Sequence, residues 1–268
     1  MTNHQSPAQT SSQQPGLAFF AIGMMGLGMV ALIFGDFALV WQPVAAWIPG
    51  RTALAYGSGV LMMVCGAGLL FRSTVAWSIR ILMPYLIVWQ LLKLPSLFQT
   101  PGTEAVYLGF GELAILLAGG WTLFARLGAQ PDGSPLTFAA SERAVRMARF
   151  YFGLWITPIG LSHLMYAGVT ATYVPAWLPY RVGWAYLTGA GQIASGLGLM
   201  FRVFPRAAAW AEAGQITLYT LLVWVPAVVS GPKTRMAWTA FFISWTFAAG
   251  AWIVAQNVEA KRLPAPAA

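Results

Sequence analysis

Apolar and polar positions fall in long blocks along this chain. Residues 17–34, 52–71, 75–92, 105–124, 148–166, 182–201, 207–225 and 238–256 are predominantly apolar, and most Arg, Lys and turn-forming residues lie between them. Crossing a hydrocarbon core takes about 20 apolar helical residues, and a helix satisfies its own backbone hydrogen bonds in lipid. The pattern therefore predicts an all-α, polytopic membrane protein of eight transmembrane helices. Residues 1–16, rich in Ser, Gln, Thr and Pro, read as a disordered tail. They contain no Lys or Arg and so lack the basic region of a signal peptide, which predicts that the first apolar block stays as a helix.

The blocks repeat. Tyr56 and Tyr186 lie 130 positions apart, and around them Val44, Trp47, Pro49, Arg51, Gly59, Gly66, Gly68 and Arg72 recur as Val174, Trp177, Pro179, Arg181, Gly189, Gly196, Gly198 and Arg202. After one inserted residue the offset becomes 131, pairing Leu91 with Leu222, Pro95 with Pro226 and Trp121 with Trp252. This predicts two fused copies of a four-helix unit, residues 17–126 and 145–257, joined by a cytoplasmic linker at 127–144 and followed by a tail at 258–268. Four crossings per unit make the repeat parallel, with a pseudo-two-fold axis along the membrane normal. In each copy a Trp-x-Pro-x-Arg segment follows the first helix, predicting a hairpin or short interfacial helix on the outer face. A helix is expected to start near Ser141, with Arg143, Arg146 and Arg149 at the headgroups.

Composition agrees with the bilayer: 58% of residues are hydrophobic and 8% charged, against about 25% charged in soluble domains. The net charge of +8 is spread over loops rather than gathered on one face, which argues against nucleic acid as a partner. It reports orientation instead. Arg72, Arg80, Arg126, Arg143, Arg146, Arg149, Arg202, Arg206, Lys261 and Arg262 fall on one side of the eight-helix scheme. Arg51, Lys93, Arg181, Lys233 and Arg235 fall on the other. The positive-inside rule then puts both termini in the cytoplasm of a bacterial inner membrane. Cys65, the single cysteine, excludes an internal disulfide and reads as a small buried residue in a Gly-rich helix.

Polar residues inside apolar blocks carry the candidate chemistry, because such groups are costly in lipid and usually face a bundle interior or a cavity. Counting straight along the repeat, His163 pairs with Ile33, Gln192 with Met62, Glu212 with Ile81, Gln215 with Pro84 and Glu112 with Ile243. The second copy alone would then hold a polar track running from His163 past Gln192 to Gln215 and Glu212, with Tyr186 and Arg181 as further candidates. A quinone would suit such a track, since its carbonyls take His or Gln donors; an inert hydrogen-bond network that ties helices together is the alternative. The other histidine, His4, lies in the tail, so one chain offers no bis-His haem site, and metal-ligand spacings are missing.

The run Gly160-Leu-Ser-His163, the Trp177-Leu-Pro179 segment and the Gly-rich stretch from Gly189 to Gly198 resemble the DoxX family of small membrane proteins. The resemblance implies a four-helix unit and a broad set of redox roles, including a membrane subunit of thiosulfate:quinone oxidoreductase and accessory proteins that mature periplasmic redox enzymes. Relatives with disulfide-exchange chemistry use paired cysteines, which this chain lacks. The leading expectation is an inner-membrane subunit or accessory protein that scaffolds or supports a respiratory or other redox complex, in contact with lipid and other membrane subunits. The rivals are a quinone-linked oxidoreductase subunit using the second copy and a small-solute transporter.

Overall fold

Among the described residues, ten α-helices and short π and 3-10 turns make up the fold, with no strand. The computed structural model describes residues 15–128, 135–231 and 233–258; most of both tails, linker residues 129–134 and Pro232 lie outside them, and with the tails His4, Lys261 and Arg262. The helices are α1 (Pro15–Phe34), α2 (Arg51–Leu69), α3 (Val75–Gln99), α4 (Glu104–Leu123), α5 (Glu142–Met165), α6 (Ala167–Tyr173), α7 (Arg181–Phe201), α8 (Pro205–Tyr219), α9 (Val225–Ser230) and α10 (Arg235–Asn257).

Among the described residues, six helical spans are long and apolar enough to cross a membrane: α1, α2, α3, α4 with its π turn to Gly128, the run from Pro205 to Ser230, and α10. Of the eight expected, α5 and α7 fall outside this set. Both are long enough, at 24 and 21 residues. Their composition is what differs: α5 opens with Glu142, Arg143, Arg146 and Arg149, and α7 carries Arg181, Gln192 and several glycines.

Small residues bring the backbones together, the device expected where apolar burial gives no driving force between helices in lipid. A Cβ on Gly28 would lie 2.6 Å from the Gly59 carbonyl oxygen, and one on Gly160 would lie 2.6 Å from that of Gly189. These contacts join α1 to α2 and α5 to α7. Each pair takes on a further helix, α1 packing on α10 and α5 on α4. Between them α4 meets α10, where a Cβ on Gly119 would lie 2.8 Å from the Cα of Gly250. Seven residues further along both helices, Arg126 Nε donates to Asn257 Oδ1 at 3.0 Å. Contacts that advance together in both chains of residues mean that α4 and α10 run parallel.

Charged clusters close the two ends. At one end Asp36 accepts from Arg51 and from Arg235, tying the end of α1 to the starts of α2 and α10. At the other, Arg126 pairs with Glu142, tying α4 to α5. Ser141 caps α5 as expected, accepting from the Ala144 N–H at 3.2 Å. The two Trp-x-Pro-x-Arg segments end alike: Gly50 and Tyr180 precede α2 and α7 in the left-handed region, with φ of 67° and 54°. Arg51 Nε and Arg181 Nε each donate to a Val carbonyl seven residues back, at 3.3 and 2.9 Å.

Lys93 corrects an expectation. It does not lie in a loop, because α3 continues through Pro95 to Gln99. Its ammonium is buried and donates to the carbonyls of Val40, at 2.6 Å, and Gly109, which makes the position tolerable.

Candidate functional site

A cavity of about 450 Å³ opens between α4, α5, α7, α8 and α10 at the Asp36 end. Its mouth is ringed by Tyr166, Val169, Tyr173 and Met236, all exposed. Its walls are apolar, with Ile159, Ile216, Ile243 and Phe247. A few polar groups converge inside, the usual make-up of a small-molecule site.

Those groups are organised around Thr188 on α7. Its hydroxyl sits 2.9 Å from the Trp184 carbonyl and 3.1 Å from that of Ala185. A hydroxyl carries one hydrogen, so with that hydrogen given to the backbone the oxygen can only accept from His163 Nδ1, 3.0 Å away. Gln215 Nε2 donates to the Thr188 carbonyl at 2.9 Å. Its Oε1 lies where a side chain at position 191 would point, 2.6 Å from a Cβ there, so Gly191 makes room for it. The His163 and Tyr219 rings lie 6.0 Å apart.

His163, Gln192 and Gln215, expected to form a track, thus line one cavity. Glu212 stands behind it, fully buried beside Gln192 and Ser195. Gln192 Oε1 and Thr239 Oγ1, both on the cavity wall, have no hydrogen-bond partner among the described residues. Tyr186 and Arg181 are not brought to the site: both are exposed, and Arg181 is spent on the Val174 carbonyl.

Straight counting along the chain missed the contribution of the N-terminal helices. Glu112 of α4 lines the cavity and interacts electrostatically with Lys93 and Tyr219. Val40 lines it too, with φ of 69°, an outlier for a β-branched residue, held where its carbonyl accepts from Lys93. Glu112 was legible as a carboxylate inside an apolar block; its meeting with His163 was not. Tyr219 and Trp224 flank or fall in a π turn, Thr220–Trp224, ahead of Pro226. A π turn holds one residue more than regular helix.

The N-terminal helices hold a different cluster at Ser58. Gln42 Nε2 donates to Ser58 Oγ and to Tyr85 Oη, both at 2.8 Å, while Ser58 and Tyr85 are 2.7 Å apart. Gln42 Oε1 accepts from the Ala38 N–H at 2.8 Å. With Trp41 packed beside it and only 2% exposed, the cluster is closed on itself.

No group of three or more His, Cys, Asp or Glu side chains that could hold a metal occurs among the described residues. Cys65 is buried and free. No family model, no curated protein and no solved structure matches this chain.

Proposed function

We propose that the protein is a tandem repeat of two DoxX-like four-helix units in a bacterial inner membrane, and that its second unit binds a quinol. In this reading α5 and α7 also cross the membrane, giving eight spans with both termini cytoplasmic. The contacts of the helices support a parallel repeat. Gly119 and Gly250, like Arg126 and Asn257, are 131 positions apart and touch each other, as equivalent residues do beside a two-fold axis.

The same contacts revise which residues correspond. Ala31 and Leu32 face Gly59 as His163 and Leu164 face Gly189, so His163 stands in place of Ala31 rather than the exposed Ile33. Ser78 faces Gly68 as Ala208 faces Gly198, which keeps the offset at 130 into the third helix. Glu212 then corresponds to the buried Leu82, not to Ile81, and Gln215 to Tyr85, not to Pro84. Pro226 and Pro95 are 131 apart, so the inserted residue is taken up by the π turn at the cavity. One unit has a closed cluster at Ser58 where the other has an open cavity at Thr188.

The observation that carries the ligand class is the sign of the unmet hydrogen bonding. Gln192 Oε1 is a buried acceptor on the cavity wall with no hydrogen-bond partner among the described residues, and the walls around it are apolar, so the cavity suits an apolar molecule bearing a hydroxyl donor, as a reduced quinone does. Titrating the purified protein with a short-chain quinol and the matching quinone tests this. Saturable binding that favours the quinol is expected, weakened about tenfold in Gln192→Met, where the first unit has Met62. Absence of saturable binding of either form would reject the reading.

A second reading, a support subunit of a redox complex, draws on the way Thr188 ties α5, α7 and α8 together. Under it, Gln192→Met lowers stability and leaves quinol titrations without any signal to lose.

A further inference from the structure

A second cavity, of about 340 Å³, lies at the opposite end of the molecule. Arg146 and Arg149 of α5 line it, with Arg202 just past α7. Thr122, Glu142 and Asn257 supply its other polar side chains, and each of these is already engaged. Thr122 Oγ1 donates to the Ala118 carbonyl at 2.9 Å. Asn257 donates to Ile253 O at 2.8 Å and accepts from Arg126. Glu142 takes both terminal nitrogens of Arg126, which satisfies the one carboxylate in the lining.

The three lining guanidiniums are different. Arg149 is only 8% exposed, and its Nε is buried with no partner. Arg146 and Arg202 stand close enough to repel it. A buried guanidinium facing two others is unfavourable unless an anion offsets them. Planar N–H forks match phosphate oxygens better than any other common anion-binding side chain. The cavity is walled by α4, α5 and α10, so it is built between the two groups of helices rather than on one solvated face.

We propose that this cavity binds a phosphate group, with Arg149 as the buried anchor and Arg146 and Arg202 closing over the remaining oxygens. The group is carried either by an anionic phospholipid whose tails lie along the helices or by free phosphate from the aqueous side.

Native mass spectrometry of the full chain in detergent, exchanged with phosphatidylglycerol or phosphatidylcholine, tests the proposal, with inorganic phosphate as competitor. Arg149→Gln, Arg146→Gln and Arg202→Gln are compared with Arg143→Gln, an exposed arginine on the same helix outside the cavity. Preferential retention of phosphatidylglycerol, about fivefold weaker for each cavity arginine removed and unaffected by inorganic phosphate, identifies a headgroup site. Binding of inorganic phosphate that is lost in the same variants identifies a free-anion site. If the cavity variants match Arg143→Gln for both probes, the proposal is overturned. Should Arg149→Gln fail to fold, the two exposed arginines give the same decision.

Discussion

His163 Nδ1 and Thr188 Oγ1 meet at 3.0 Å across a close helix contact in the C-terminal part of the molecule, where Gly160 and Gly189 let α5 and α7 touch. The contact orients the imidazole, and the same hydroxyl lies within hydrogen-bond reach of the Trp184 and Ala185 carbonyls, which ties it to α7.

Thr188→Val, which keeps the shape and removes the hydroxyl, is therefore expected to free the ring. Quinol affinity should fall about tenfold while the thermal midpoint changes little, since a partly buried hydrogen bond contributes about 1 kcal/mol net. Thr188→Ser should restore it. His163→Ala, which leaves at 163 the residue that Ala31 presents to Gly59, should fold and lose quinol binding. Unchanged titration curves for Thr188→Val and His163→Ala would remove His163 from the site.

Gly196 faces α5 with no spare room: a Cβ there would lie 2.4 Å from Thr157 Oγ1 and 2.7 Å from the Gly153 carbonyl oxygen. Gly196→Leu must push two backbones apart and should cost on the order of 3 kcal/mol or more. Gly57→Leu, on the same kind of helix but with nothing near its missing Cβ, should be tolerated. Thermal unfolding in detergent compares them, and equal midpoints would contradict the packing.

Removing one residue from Thr220–Trp224 should convert the π turn to regular helix. Each residue turns a helix by about 100°, so the deletion carries Trp224 off the cavity wall or rotates α9. Deletion of Leu222 is expected to leave expression near normal and to abolish quinol binding. Retained binding in a folded deletion variant would show that the inserted residue does not shape the site.

Thr100 and Ser73 lie at opposite ends of α3, and both are exposed. With Cys65 replaced by Ser, a cysteine at position 100 should react with an impermeant thiol reagent in intact cells, and one at position 73 only after lysis. The opposite result would invert the orientation deduced from the basic residues.

The helical character of the chain was written in its apolar blocks, because a segment that must hold its hydrogen bonds in lipid has few ways to do so. Glycine spacing likewise marked the contact faces of α2 and α7, since a missing side chain is visible in a sequence. Span number was less legible: α5 and α7 mix Arg, Gln and Gly into their length, and hydropathy averages these away.

A residue count cannot tell which residues face one another: Ala31 lies against Gly59 as His163 lies against Gly189, and Tyr85 reaches Ser58 as Gln215 reaches Thr188. Nor can a linear pattern show that α4 packs on α5 and α10 as well as on α3, which is how Glu112 reaches the cavity of His163. Sequence by itself determined which residues are polar at membrane depth, because that is a matter of composition along one helix. Only the tertiary structure decided which of them meet, because hydrogen bonding between helices depends on crossings and rotations set by contacts far apart in the chain.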